Sequence, residues 1–172
     1  MQAQRQLVLI LAAVLFPACL SAQAVDEEAR AAFVAKETLG ELKLGMTEKA
    51  VKAVLGEPES RGKEEEWAAT GDHVQKWVFA GRGIELQMAS MKKGGAKSVL
   101  MITAKAPSKL STRKGAGIGS TEAEIIKAYG AYEDKENSKR GATFVVGSIY
   151  GGIIFTFEKG KVSEIFFGAA AE

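Results

Sequence analysis

The chain has 172 residues, 47% of them hydrophobic, with 23 basic and 21 acidic side chains and a net charge of +2. This near-neutral balance excludes a function that rests on bulk charge, such as non-specific capture of nucleic acid. With Cys19 the only cysteine, internal disulfides are excluded, yet the chain is long enough to bury a core without them.

Residues 1–24 read as a secretory leader. Arg5 gives a weak positive start, Leu7 to Phe16 is an unbroken apolar run, and Ala22-Gln23-Ala24 is a small-x-small cleavage site. The run is too short and wrongly flanked for a membrane span, and no later segment approaches that length, so no transmembrane span is expected. The protein is therefore expected to be exported, periplasmic or extracellular. Cleavage before Cys19 with lipid attachment is the alternative, although Phe16-Pro17-Ala18 departs from the usual Leu-x-small pattern.

Residues 25–37 read as a lead-in helix, with acids in its first turn and Phe33, Val34 and Leu39 as its apolar face. Thr47 then caps a short helix whose Val51, Val54 and Leu55 share one side, and Gly56 with Pro58 stops it. A charged stretch through Glu66 follows, then Trp67-Ala68-Ala69 and a Thr70-Gly71-Asp72 turn. Next come strands His73 to Ala80, Ile84 to Met91 and Ser98 to Ala104, separated by Gly81-Arg82-Gly83 and Gly94-Gly95 turns. Ile84, Leu86 and Met88 alternate with Glu85 and Gln87, the pattern of a sheet with one covered and one open face.

The remainder repeats this grammar. Thr121 and Glu124 form a capping box, Ile125, Ala128 and Tyr129 give the apolar stripe, and Gly130 is the expected stop. Strands are expected at Ala142 to Tyr150, Ile153 to Glu158 and Val162 to Phe167, with turns at Gly151-Gly152 and Lys159-Gly160. Thr38, Gly45, Thr47, Glu48 and Gly56 recur 74 positions later as Thr112, Gly119, Thr121, Glu122 and Gly130. A fixed offset of this kind implies two copies of one supersecondary unit. The expected class is α+β, in units 38–107 and 108–172, each a short helix on an antiparallel meander of three or four strands.

Gly45-Met46-Thr47, then Val51 and Leu55-Gly56-Glu57-Pro58, resembles the Gly-Met-Thr…Val…Leu-Gly-x-Pro signature of the outer-membrane assembly lipoprotein family SmpA/OmlA (BamE). The tandem layout is similar to that of the beta-lactamase inhibitor protein, two helix-plus-four-strand units. The resemblance implies a fold, and a sheet that binds protein. It implies neither beta-lactamase as a target nor any contact residue, and the inhibitor's disulfides have no counterpart here.

Candidate chemistry is sparse. His73, the only histidine, sits beside Asp72 in a turn, and no serine lies in a Gly-x-Ser-x-Gly elbow. There is no His pair and no Asp-x-Asp-x-Asp-Gly loop, so no metal, cofactor or catalytic residue is expected. Glu64-Glu65-Glu66 reads as a solvated edge, because consecutive strand residues point to opposite faces. Gly115-Ala116-Gly117-Ile118-Gly119 precedes a helix but lacks phosphate-loop spacing and reads as turn and packing residues.

Two surfaces compete as binding sites. His73, Gln75 and Trp77, placed beside Glu85 and Gln87, would form an open-face site for another envelope or extracellular protein, with Trp77 as anchor. The opposite strand parity puts Trp77 in the core instead. From Leu86 to Thr121 there is no acid and seven basic residues, so Lys105, Lys109, Arg113 and Lys114 form a second candidate, a patch for an anionic envelope polymer or small ligand. Lysines that protect strand edges would look the same. The expected function is non-enzymatic protein binding through the sheet, with the anion-binding patch as the alternative.

Overall fold

Period-two apolar alternation dominates the chain after Pro58, and the result is a sheet that three short helices cover. In the computed structural model, residues 26–170 are described; residues 1–25, which hold the segment read as a leader and Cys19, and the last two residues lie outside them. The helices are α1 (Glu27–Val34), α2 (Glu48–Leu55) and α3 (Glu122–Tyr129). The strands are β1 (Ser60–Glu66), β2 (His73–Phe79), β3 (Ile84–Ser90), β4 (Ser98–Lys105), β5 (Thr143–Ser148), β6 (Gly151–Glu158) and β7 (Lys161–Gly168). All seven form one antiparallel sheet in the order β1-β2-β3-β4-β7-β6-β5. The α+β class is therefore as expected.

The first four strands run as one meander and the last three as another. They join where Ile102 to Lys105 of β4 pair with Phe167 to Glu164 of β7. Beyond this ladder each central strand takes up the segment that leads into a helix. The Gly45 N–H donates to the Val99 carbonyl at 2.8 Å and the Val99 N–H to the Met46 carbonyl at 2.9 Å. Likewise the Gly119 N–H donates to Val162 and the Val162 N–H to Ser120, both at 2.8 Å. A register shift also recurs, at Leu100 in β4 and at Ser163 in β7, one residue after each of these valines.

Caps follow the side-chain chemistry. Asp26, Thr47 and Thr121 each accept from a backbone N–H three residues on, and the Glu124 carboxylate returns to the Thr121 N–H at 2.7 Å. That N–H and the Thr121 hydroxyl, which donates to the same carboxylate at 3.0 Å, hold the Glu124 carboxyl below its ordinary range.

Several boundaries differ from the sequence expectation. The lead-in helix ends at Val34, because Lys36 and Glu37 donate to Phe33 and Val34 in tight turns, which lets Leu39 reach the core. Gly130 does not terminate its helix at a positive φ, as Gly56 does at 83°; its φ is −55° and the chain runs on as a 3₁₀ turn through Tyr132. The first strand is the charged segment Ser60–Glu66 itself, and Trp67–Asp72 makes the turn. The β5–β6 turn falls at Ile149-Tyr150, and Gly151 and Gly152 belong to β6. Gly152 is there for close approach, since a Cβ would strike the carbonyl oxygens of Val146 and Ser148.

Both outer edges of the sheet are blunted. β1 carries Arg61, Lys63, Glu64, Glu65 and Glu66 and a register shift between Arg61 and Glu64. The β5 edge is taken by residues 133–143: Asp134 donates to Val145, and Glu133 and Lys139 bridge to Val146 and Thr143.

Gly152→Ala is expected to cost about 2 kcal/mol or more of unfolding free energy, while Gly151→Ala, which meets nothing within 4 Å, stays within about 0.5 kcal/mol. Urea denaturation of the two variants checks this.

Candidate interaction surface

Strand register sorts the sheet's side chains into two faces. Trp77 pairs with Leu86, Phe79 with Ile84, Ile102 with Phe167 and Phe155 with Ile165, and all eight lie in the single core cluster with Val51, Leu55, Ile125 and Tyr129 of the helices. That is the covered face. The alternate residues project the other way: Lys76, Val78, Glu85 and Gln87, then Met101 and Thr103, then Phe166, Ile154 and Thr156. None of them belongs to the core cluster, and no described helix packs over them.

This open face has a half-buried apolar centre and a paired rim. Thr103 opposes Phe166 and Ile154 opposes Phe166 across adjacent strands, with Met101 alongside on β4. On one side Lys76 meets Glu85 at 2.7 Å; at the seam Lys105 meets Glu164 at 2.7 Å. The Glu164 carboxylate raises the Lys105 amine above its ordinary value. Both pairs are solvent-exposed and contribute little to stability.

The five residues proposed as one protein-binding site do not form one surface. Glu85 and Gln87 are on the open face, but His73, Gln75 and Trp77 are on the covered one. Trp77 is 1% exposed, its indole N–H donates to Gln75 Oε1 at 2.9 Å, and the Arg61 guanidinium lies 4.5 Å from its ring centre. Trp77 is thus a core residue, and the reading of it as an exposed anchor is corrected. The reason is parity: Leu86 of β3 fixes which face Trp77 takes, and only pairing reveals that.

His73 is half-buried, its Nδ1 4.0 Å from Glu64. Glu64 in turn binds Lys97 Nζ at 2.7 Å and accepts the Gly94 N–H at 2.7 Å, which together hold its carboxyl below the ordinary range. It pins the β3–β4 loop.

The four basic candidates are dispersed. Lys105 is paired on the open face, and Lys109 lines a cleft of about 200 Å³. Arg113 donates to the Lys36 carbonyl at 2.7 Å. Lys114 lines a separate cleft of about 500 Å³ with Ser120, Glu124 and Lys127, the last of which sequence reasoning missed. Its amine is 5.4 and 5.8 Å from the stacked Phe33 and Tyr132 rings, hence beside the stack's edge rather than over a face. The nearby glycine-rich loop spends its N–H groups internally, on Thr112, Ser120 and Val162. Below it Tyr129 is buried, and its hydroxyl donates within a cluster formed with Thr112 (2.6 Å) and Glu37 (3.2 Å). Burial pushes that phenol's pKa well up.

Among the described residues, no group of His, Cys, Asp and Glu is disposed to hold a metal ion, and no helix is long and apolar enough to cross a membrane. Comparison with protein families, characterised proteins and solved structures finds no match.

Trp77→Ala is expected to cost about 3–5 kcal/mol in unfolding free energy, whereas Gln87→Ala stays within about 0.5 kcal/mol. Chemical denaturation separates the two. The depressed Glu64 carboxyl gives a second expectation. Its contribution is full above the unfolded value of about 4.3 and is lost as pH falls through the lower folded value. The melting-temperature gap between the native chain and Glu64→Gln should therefore shrink from pH 7 to pH 3.

Proposed function

We propose that this protein is a non-enzymatic binding module whose open sheet face receives another protein. The observation that carries the reading is the face itself. It spans strands of both meanders, has Met101, Phe166 and Ile154 at its centre, and has polar and paired charged groups around them. A partly apolar centre inside a polar rim is the usual anatomy of a protein interface. Blunted sheet edges favour docking on the face over strand addition.

The chain is, in the same reading, a tandem of two units related by an approximate two-fold at the β4–β7 ladder. The matched hydrogen bonds of Gly45 and Gly119 and the matched register shifts after Val99 and Val162 support it. So does the resemblance of the Gly45-to-Pro58 segment to assembly-lipoprotein and inhibitor-type sequences. The leader makes the partner an envelope or extracellular protein. The anion-patch alternative gains no comparable support, since Lys105 is paired with Glu164, Arg113 is bonded to the Lys36 carbonyl, and Lys109 and Lys114 line separate clefts.

Photo-crosslinking tests the reading. A crosslinker at Gln87 or Thr103 should give a discrete adduct in envelope extract, and Phe166→Glu should abolish it with the fold retained by circular dichroism. Adducts formed only from positions on the helical side, such as Lys127, would overturn it.

A further inference from the structure

Antiparallel pairing decides which loops share an end of the sheet. Glu66 and Ser90 both pair with His73, Ala89 pairs with Ser98, and Gly152 pairs with Gly168. The turns Trp67–Asp72, Met91–Lys97 and Ile149–Tyr150 therefore all lie at one end. The opposite end carries the polar turns around Arg82 and Lys159.

Exposure is concentrated at the first end. Only three large hydrophobic side chains are exposed among the described residues, and two are here: Met91 at 92% and Tyr150 at 69%. The third, Ile126, is on α3. Scattered single exposures need no explanation, but these two sit on separate hairpins that point to the same end of the sheet, one on each side of β7.

Their exposure is braced. Ser90 Oγ and the Gly95 N–H both bond the Lys92 carbonyl at 2.9 Å, and Glu64 holds Gly94 and Lys97. Tyr150 sits in a two-residue turn tied by the Ala170 N–H to the Ile149 carbonyl at 2.7 Å. These bonds hold the backbone of both turns in place beneath the exposed side chains. Lys92 and Lys93 flank Met91, both exposed, and Lys97 neutralises the acid beneath them. Glu66 and Asp72 lie beside Trp67, and Glu48, whose N–H donates to the Lys97 carbonyl, is paired with Lys52, so among the described residues the positive charge beside Met91 is that of Lys92 and Lys93.

We infer that this end docks on an anionic lipid surface, with Met91 and Tyr150 entering the interface and Lys92 and Lys93 meeting the headgroups. An aromatic with a polar tip suits the interfacial zone, and paired lysines suit its charge. The contact is end-on and uses none of the open-face residues.

The test reads individual residues, so that attachment through any other part of the full chain gives a different pattern. Vesicles of phosphatidylcholine, alone or with an equal part of phosphatidylserine, carry a paramagnetic headgroup lipid. With the anionic vesicles, signals of Met91 and Tyr150 should broaden and those of Ile126 and Gly160 should not. Lys92→Gln with Lys93→Gln should weaken this affinity by about thirtyfold, roughly fivefold per lysine. Met91→Asp with Tyr150→Asp should remove the pattern, and Ile126→Asp should leave it intact. No broadening at Met91 and Tyr150, uniform broadening, or an unchanged pattern in the double aspartate variant would overturn the inference. Each variant site is exposed, and an unchanged melting temperature confirms the fold.

Discussion

The four-residue ladder between β4 and β7 is the interaction on which the rest depends. Ile102, Ala104, Ile165 and Phe167 lie on its covered side, all within 2% of full burial. Neither meander could keep those side chains dry alone. Joining them makes one apolar layer wide enough to dock three helices of eight residues each, a length marginal in isolation. The same pairing generates the continuous open face, because Thr103 and Phe166 come opposite each other only across this seam. Stability and the candidate binding surface thus have one origin.

What was legible in the sequence was local. Thr47, Thr121 and Glu124 announce their caps by type and spacing, and Ile84, Leu86 and Met88 announce a half-covered strand. Trp77 was not legible, since Val74 and Val78 offer an equally apolar alternate face and only the β3 register breaks the tie. Gly152 looked like a turn residue because a glycine needed for close approach and one needed for a left-handed turn read identically. The basic run from Lys105 to Lys114 is continuous in sequence, yet the chain turns between its members and disperses them. Met91 and Tyr150 carry no signal at all, for their exposure rests on distant bracing by Glu64 and Ala170.

The open face and the proposed lipid-facing end are orthogonal. With the sheet standing on the tips of its hairpins, the face would be turned sideways, clear of the membrane and accessible to a protein at the same surface. The helices lie on the other side, and their polar flanks, Glu48–Lys52 for instance, remain in solvent.

The blunted edges carry a further consequence. A partner that adds a strand binds largely through main-chain hydrogen bonds, which are nearly indifferent to sequence. Here β1 and the segment along β5 close that route, so binding at the proposed face would rest on side chains. Those side chains project from a backbone whose core contacts point the other way. Substitutions at Gln87, Thr103 or Thr156 therefore alter the proposed binding face while leaving the scaffold as it is, so that such a surface would diverge in specificity under a nearly constant fold.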